Sequence, residues 1–272
     1  MFNALSEMYS YDFMLRALVV GLLVSVCSSL LGVTLVLKRF SMIGDGLSHV
    51  AFGALCIALA LNLAPLRIAL PVVVIAAFLL LRINNRSGIN GDSAIALISS
   101  ASMAAGIIAA SLSGGLNSDV NGYMFGSIYA INDEYFYVSV IAFPVIIAVY
   151  IMIFNRIFSV TFDEDFAGAT GIGVKTLNTV ISLMTAVVIV IGMKIMGAVL
   201  ISSLIAFPAI SSIRVFKSFR AVVISSAVLS GICLALGITL SFVFSIPAGA
   251  CIVGVNTAAL LVMSVSGKLL ST

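Results

Sequence analysis

The feature that most constrains this chain is a succession of long apolar runs with almost no charged side chains. Residues 221–243 contain no Asp, Glu, Lys or Arg, and residues 13–37 contain only Arg16. A helix needs roughly 20 apolar residues to cross the hydrocarbon core of a bilayer, which is about 30 Å thick. Barrel strands would instead alternate in polarity over segments of about ten residues. The continuous runs therefore predict an all-α polytopic membrane protein.

We expect about eight or nine transmembrane helices in a single transmembrane domain over residues 1–272. The candidate spans are 13–37, 43–61, 65–81, 94–112, 135–154, 176–193, 195–213, 221–243 and 248–266. Composition agrees, because charged residues make up only 8% of the chain, against about 25% in a soluble domain. This composition excludes a soluble enzyme, a disordered chain, a disulfide-stapled secreted domain and a nucleic-acid-binding protein.

The positions of Lys and Arg predict the orientation of the spans, because basic residues in short loops collect on the cytoplasmic side. With the N-terminus outside, the basic residues on the outer side are Arg16, Arg67 and Lys194. Those on the cytoplasmic side are Lys38, Arg39, Arg82, Arg86, Arg156, Lys175, Arg214, Lys217, Arg220 and Lys268. A wrong number of spans would have distributed the basic residues more evenly between the two sides. The observed asymmetry therefore supports the predicted order and number of spans.

Asp45 and His49 form the most informative polar pair within the apolar pattern. Their spacing of four residues places both side chains on one face of a helix. A carboxylate and an imidazole suit a divalent transition metal such as zinc, iron or manganese, and an ionisable group within a span usually lines a pathway. The spacing fits another interpretation equally well, in which Asp45 caps the helix and His49 bonds a neighbouring carbonyl. The metal interpretation gains support because His49 is the only histidine of the chain.

A predicted outer loop at 113–134 is acidic and contains no basic residue. Its acidic residues are Asp119, Asp133 and Glu134. Such a mouth would raise the local concentration of cations. Gly122 and Gly126 form a GxxxG pattern, which permits close helix approach in lipid. A solvated loop with incidental acidity is the other interpretation, so the loop is assigned neither metal binding nor a re-entrant structure.

A cytoplasmic segment at about 162–176 is too long and too regular to be a simple turn. Three carboxylates begin it, where they would favour the positive end of a short helix, and small residues that permit close packing follow. The residues expected to contact a partner are Asp163, Glu164, Asp165, Ala167, Gly168 and Gly171. Residues 168–176 resemble a phosphate loop, but Val174 stands where that motif needs lysine. We therefore expect a docking surface and no ATP hydrolysis by this chain.

Two other classes of membrane protein compete with this interpretation. An intramembrane metalloprotease is excluded because one histidine cannot form HExxH. A stand-alone secondary carrier of metal or other ions stays open as the alternative. It would need several membrane carboxylates for its own coupling, and the docking segment would then have no purpose. The residues alone thus indicate a helical transporter with a candidate metal-binding gate.

Four segments give the chain a specific resemblance to a known family. They are KRFSMIGDGLSHVAFGA at 38–54, NGYMFGSIYAIN at 121–132, FDEDFAGATGIGVKT at 162–176 and GAVLISSLIAFPAISS at 197–212. Over roughly residues 10–268 the chain resembles the permease subunits of ABC importers for zinc, manganese and iron. The resemblance implies a multi-pass protein of the bacterial cytoplasmic (inner) membrane that is not itself an enzyme and holds no permanent cofactor.

By this resemblance, two permease copies would form a translocation pathway at their interface. Asp45 and His49 would contact the transported ion, and residues 163–175 would be a coupling helix that transmits the closure of a separate cytoplasmic ABC ATPase. An extracellular or periplasmic metal-binding protein would deliver the ion, membrane lipid would surround the dimer, and nucleic acid has no role. The resemblance does not choose among zinc, manganese and iron.

Overall fold

The computed structural model describes residues 11–40, 42–83, 91–113, 126, 128, 129 and 131–270. Within these residues the chain forms eleven helices and no strand. They are α1 (Asp12–Leu37), α2 (Ile43–Ala60), α3 (Pro65–Ile83), α4 (Gly91–Leu112), α5 (Asp133–Met152), α6 (Phe154–Phe162), α7 (Glu164–Ala169), α8 (Val174–Met196), α9 (Ala198–Val215), α10 (Phe219–Phe244) and α11 (Ala248–Leu270). The predicted all-α class is confirmed.

The helices also confirm the polytopic membrane architecture. In the described part of the chain, eight helices are long and apolar enough to cross a membrane, and α3 has a shorter apolar stretch at Pro65–Leu80. Each predicted span overlaps one of these nine helices. The break between α8 and α9 lies at Gly197 rather than at Lys194, where the predicted spans had placed it. The short helix α6 was not predicted.

Helix α1 lies in the interior of the bundle against α5, α8, α9 and α10. One backbone carbonyl and one side chain of α1 form hydrogen bonds to two of these neighbours. The Ser230 hydroxyl of α10 donates to the carbonyl of Ser25 at 3.0 Å, and the hydroxyls of Thr34 and Tyr150 of α5 lie 3.1 Å apart. Because lipid tails are as apolar as the helices, such polar contacts and close packing hold membrane helices together.

The crossing of α1 and α9 depends on Gly32. A Cβ atom at this position would lie 2.0 Å from the backbone carbonyl oxygen of Ile205. Only a residue without a side chain permits two helix backbones to approach this closely, as small residues do at other helix interfaces in membranes. The crossing brings α9 beside α2, because α9 contacts both α1 and α2.

Long-range ion pairs join helix ends that the predicted topology assigns to the same side. Arg16 near the start of α1 pairs with Asp133 at the start of α5, and both were predicted outside. Lys38 after α1 pairs with Glu164 of α7 at 2.8 Å, and both were predicted on the cytoplasmic side. The packing of the bundle thus agrees with the alternation of the spans.

The predicted outer loop falls mainly outside the described residues. The residues of this loop that are not described are 114–125, 127 and 130. They include Asp119 and Gly122. Gly126 is described and lies against the junction of α8 and α9, where a Cβ atom would be 2.1 Å from the carbonyl carbon of Met196. Gly126 itself is not helical, and because Gly122 lies outside the described residues, the predicted GxxxG helix contact stays a prediction.

Candidate functional site

Asp45 and His49 lie on one face at the cytoplasmic end of α2, as their spacing predicts. Asp45 is in the first turn of the helix, and its Oδ1 atom is 3.6 Å from Nε2 of His49. The Asp45 side chain is 51% exposed and the His49 side chain 26% exposed. Among the described residues, no backbone carbonyl accepts a hydrogen bond from His49. The interpretation of a carbonyl-bonded histidine therefore gains no support.

The side of α2 next to the Asp45–His49 pair is fixed by close packing against α4. A Cβ atom at Gly46 would lie 2.3 Å from Cγ2 of Ile95, and one at Gly53 would lie 2.3 Å from the carbonyl oxygen of Ser102. These glycines let the two helices approach closely over two turns. The helix that carries Asp45 is thus fixed by its packed side, while the Asp45 side chain stays 51% exposed.

The described residues do not supply the full ligand set that a bound metal ion would need. A zinc site in a protein usually has four ligands in tetrahedral arrangement. In the part of the chain that the structure describes, no three His, Cys, Asp or Glu side chains are grouped so that they could hold an ion. Asp45 and His49 would therefore be two of the ligands of such an ion, and both side chains are accessible to further ligands.

The cytoplasmic segment contains the short helix α7, which is preceded by α6, and the two helices meet at Asp163. Asp163 is the N-cap of α7, because its carboxylate accepts a hydrogen bond from the backbone N–H of Phe166 at 2.8 Å. Glu164 and Asp165 occupy the first turn, where negative charge favours the helix dipole. The turn after α7 contains Gly171 at φ +84°, a conformation that glycine adopts without a steric penalty.

The predicted docking residues divide into an exposed set and an inward-facing set. The exposed ones are Asp163, Asp165, Gly168 and Gly171. Ala167 is fully buried in the chain's own core, and Glu164 is only partly exposed. Phe166, which was not predicted, is 64% exposed. The surface that α7 presents to the cytoplasm therefore combines carboxylates, glycine backbone and one aromatic ring.

Glu164 joins a polar network that links three elements. The Lys38 side chain, only 7% exposed, donates from Nζ to Glu164 Oε1 at 2.8 Å and to Asn178 Oδ1 at 2.7 Å. Asn178 Nδ2 in turn donates to Glu164 Oε1 at 3.1 Å. Burial alone would raise the pKa of Glu164, but the hydrogen bonds from Lys38 and Asn178 and the charge of Lys38 outweigh it and lower that pKa. The network connects α7 to α8 and to the linker that enters α2.

Lys38 was predicted only as a basic residue on the cytoplasmic side, and no role was predicted for Asn178. Glu164 and Asn178 are 126 and 140 residues from Lys38 in the chain. No local spacing could have indicated these contacts. The feature of the sequence that pointed to Lys38 was its place in the short linker between α1 and the helix that carries Asp45 and His49.

Comparison with known proteins agrees with the architecture of apolar membrane-spanning helices. A family described as the ABC 3 transport family matches residues 10–267, which is nearly the whole chain. The chain belongs to this family. As an ABC 3 permease with this set of apolar helices, it is a multi-pass membrane subunit of an ABC transporter in the bacterial cytoplasmic membrane.

Named relatives of this ABC 3 permease cover most of its length. The manganese transport system membrane protein MntC of Listeria monocytogenes is 24% identical, over 93% of this chain and 90% of that protein. The high-affinity zinc uptake system membrane protein ZnuB of Haemophilus influenzae is 25% identical, over 89% of this chain and 93% of that protein. The solved structure of PsaBC from Streptococcus pneumoniae in complex with Fab has a TM-score of 0.84 at 23% identity and covers 96% of this chain and 94% of that chain. That structure shows the same fold.

Proposed function

We propose that this ABC 3 permease forms the membrane pathway of an ATP-driven importer of a divalent transition metal ion. The observation that carries the proposal is the Asp45–His49 pair, whose side chains converge at 3.6 Å on the accessible face of α2. A carboxylate with an imidazole binds zinc, manganese or iron. Relatives named for manganese and for zinc support these two ions, whereas iron stands on the sequence resemblance alone.

A second permease copy completes the site in this proposal. Two copies related by a two-fold axis present the same patch to each other, so Asp45 and His49 of both copies would supply four ligands. Four ligands match the number that zinc takes in proteins. The exposed face of the Asp45–His49 pair is the side on which a partner copy would contribute.

A separate cytoplasmic ABC ATPase drives the transport cycle in this proposal, and its docking surface is the exposed side of α7. The Lys38–Glu164–Asn178 network would carry a displacement of α7 to the linker before α2, and so to Asp45. A metal-binding protein outside the membrane would deliver the ion. Membership in an ABC transport family favours this arrangement over a stand-alone carrier.

Substitution of His49 by alanine tests the gate. We expect His49→Ala to abolish uptake of radioactive zinc and manganese into vesicles that contain the assembled transporter, while membrane insertion and copurification of the ATPase persist. The physical reason is that each permease copy would lose one of its two ligands to the ion. Unchanged uptake would refute the role of the pair in the pathway.

Asp45→Asn extends the test and has a matched control in Asp12→Asn. Both carboxylates are exposed and lie in the first turn of a long helix, so both changes remove the same favourable charge from a helix N-terminus. Only Asp45→Asn should reduce metal uptake. Competition among zinc, manganese and iron in the same assay identifies the ion.

A further inference from the structure

Two adjoining cavities at the cytoplasmic end of the bundle lie apart from the gate and belong to neither the metal pathway nor α7. The first has a volume of 570 Å³ and lies between α6 and the start of α10. The second is an apolar groove of 420 Å³ along α1, α5 and α10. Phe154 and Arg220 line both, so the two cavities adjoin at these side chains. Neither contains a lining residue from α2 or α4.

The first cavity is basic and aromatic. Lys217 and Arg220 line it, and none of the described residues that line it is acidic. Within the described residues, neither basic side chain pairs with a carboxylate. Its wall is a cluster of phenylalanines in which the ring of Phe219 lies 5.1 Å from Phe154 and 5.4 Å from Phe158 between centroids. The cavity thus offers two free positive charges beside an apolar wall.

The groove has the position and length of an acyl chain in the cytoplasmic leaflet. On α10 its lining residues extend from Arg220 to Val228, which corresponds to about 12 Å at about 1.5 Å per residue. Half of the hydrocarbon core measures about 15 Å. Arg220 is the only charged lining residue of the groove and stands at its cytoplasmic end, where lipid head groups lie.

We propose that these cavities form a binding site for one anionic phospholipid of the cytoplasmic leaflet. Its phosphate-bearing head group would lie between Lys217 and Arg220, and one acyl chain would follow the groove along α10. Basic pockets between membrane helices on the cytoplasmic side recognise anionic head groups in this way. The charge complementarity commits the site to an anionic rather than a zwitterionic lipid, and the adjoining apolar groove commits it to a lipid rather than a free anion. The site does not depend on which ion the protein transports.

Native mass spectrometry of the full-length chain in detergent tests this site. We expect one phosphatidylglycerol molecule to be retained more tightly than phosphatidylcholine. Combined Lys217→Gln and Arg220→Gln should weaken that retention by about fivefold for each basic residue removed. The matched control combines Arg156→Gln with Arg214→Gln, because both arginines are exposed and line neither cavity. This control should keep wild-type retention.

A second variant tests the groove without changing any charge. Ala227 lines the groove, and Ala227→Phe should fill it and weaken the retention of long-chain phosphatidylglycerol. Three results would overturn the proposal: equal retention of phosphatidylcholine, unchanged retention in the Lys217/Arg220 variant, or displacement of phosphatidylglycerol by millimolar inorganic phosphate. The last result would identify a site for free anions instead of a lipid.

Discussion

At the residue scale, Lys38 combines a full positive charge with an almost completely buried side chain. A charge removed from water is costly unless it is paired and hydrogen-bonded. Lys38 meets both conditions, since Glu164 neutralises it and Asn178 accepts a further hydrogen bond. The position of α7 is therefore set by the need of Lys38 for a partner, in addition to the burial of Ala167.

Glu164→Gln should lower the thermal stability of the permease and the amount of ion transported per ATP hydrolysed. The amide keeps the shape of the side chain but leaves Lys38 buried without a counter-charge. Asp165→Asn is the matched control, because Asp165 lies in the same turn and is exposed. Thermal unfolding and coupled transport assays on both variants check the prediction. Equal stability of the two variants would contradict the structural role of the network.

The same pair predicts a pH dependence. The pKa of Glu164 in the folded protein is lowered, so its stabilising contribution is fully present above the unfolded-state pKa of about 4.3 and is lost as the pH falls through the folded-state pKa. The difference in the free energy of unfolding between wild type and Glu164→Gln should therefore be constant near neutral pH. It should shrink as the pH falls below the unfolded-state pKa of Glu164. Unfolding midpoints measured across a pH series report that difference.

Residues also mark the limit of what the sequence could predict about the site. Asp45 and His49 were predicted together because a helix brings residues four apart onto one face. The Arg16–Asp133 and Lys38–Glu164 pairs join residues far apart in the chain, and their partners are determined by how the helices pack. The acidic outer segment therefore has a basic partner from α1 that the composition of the segment did not reveal.

At the scale of elements, the spans were predictable because hydrophobic length is a direct consequence of bilayer thickness. Helix α6 was missed because it is only nine residues long and lies outside that length rule. Its signal was the spacing of Phe154, Phe158 and Phe162 every four residues, which places three rings on one face. The rings of Phe158 and Phe162 contact each other, and all three rings contact Phe219 at the start of α10, so these rings join α6 to α10.

The crossing of α1 and α9 gives a prediction about an element pair. Gly32→Ala should destabilise the protein by roughly 1–3 kcal/mol, the usual cost of an overpacked interior, because the new Cβ atom meets the backbone of Ile205. Gly254→Ala is the matched control in α11, since a Cβ atom there meets nothing within 4 Å. Fluorescence-detected thermal stability in detergent compares the two. A loss of stability as large in Gly254→Ala would show that the effect is not specific to the crossing.

At the scale of the whole molecule, the topology and the side-specific ion pairs agree because both follow from the same alternation of spans. The distribution of Lys and Arg residues along the sequence predicts the orientation of the spans. The order in which helices pack around α1 was not predictable, since it depends on close contacts such as Gly32 with Ile205 that have no periodic signature. The sequence therefore predicted the membrane-spanning helices but not which of them are neighbours.

The proposed shared pathway predicts the behaviour of mixed dimers. When wild-type and His49→Ala copies with different affinity tags are coexpressed and purified through both tags, the mixed complexes should transport almost as poorly as the double variant. The reason is that one ion would be bound by ligands from both copies. Uptake in proteoliposomes provides the measurement. Retention of about half of the wild-type rate would indicate a separate pathway in each copy.

A metal site shared by two copies, as proposed, has a consequence for the leakage of metal ions across the membrane. In the proposed pathway, a lone permease copy that is newly inserted and not yet assembled would offer an ion Asp45 and His49 among its described residues, and the ion would keep water in its other coordination positions. To pass through the membrane, the ion would have to lose that water. In the proposed arrangement, unassembled copies therefore cannot leak metal, and the ion gradient is protected until two copies have met.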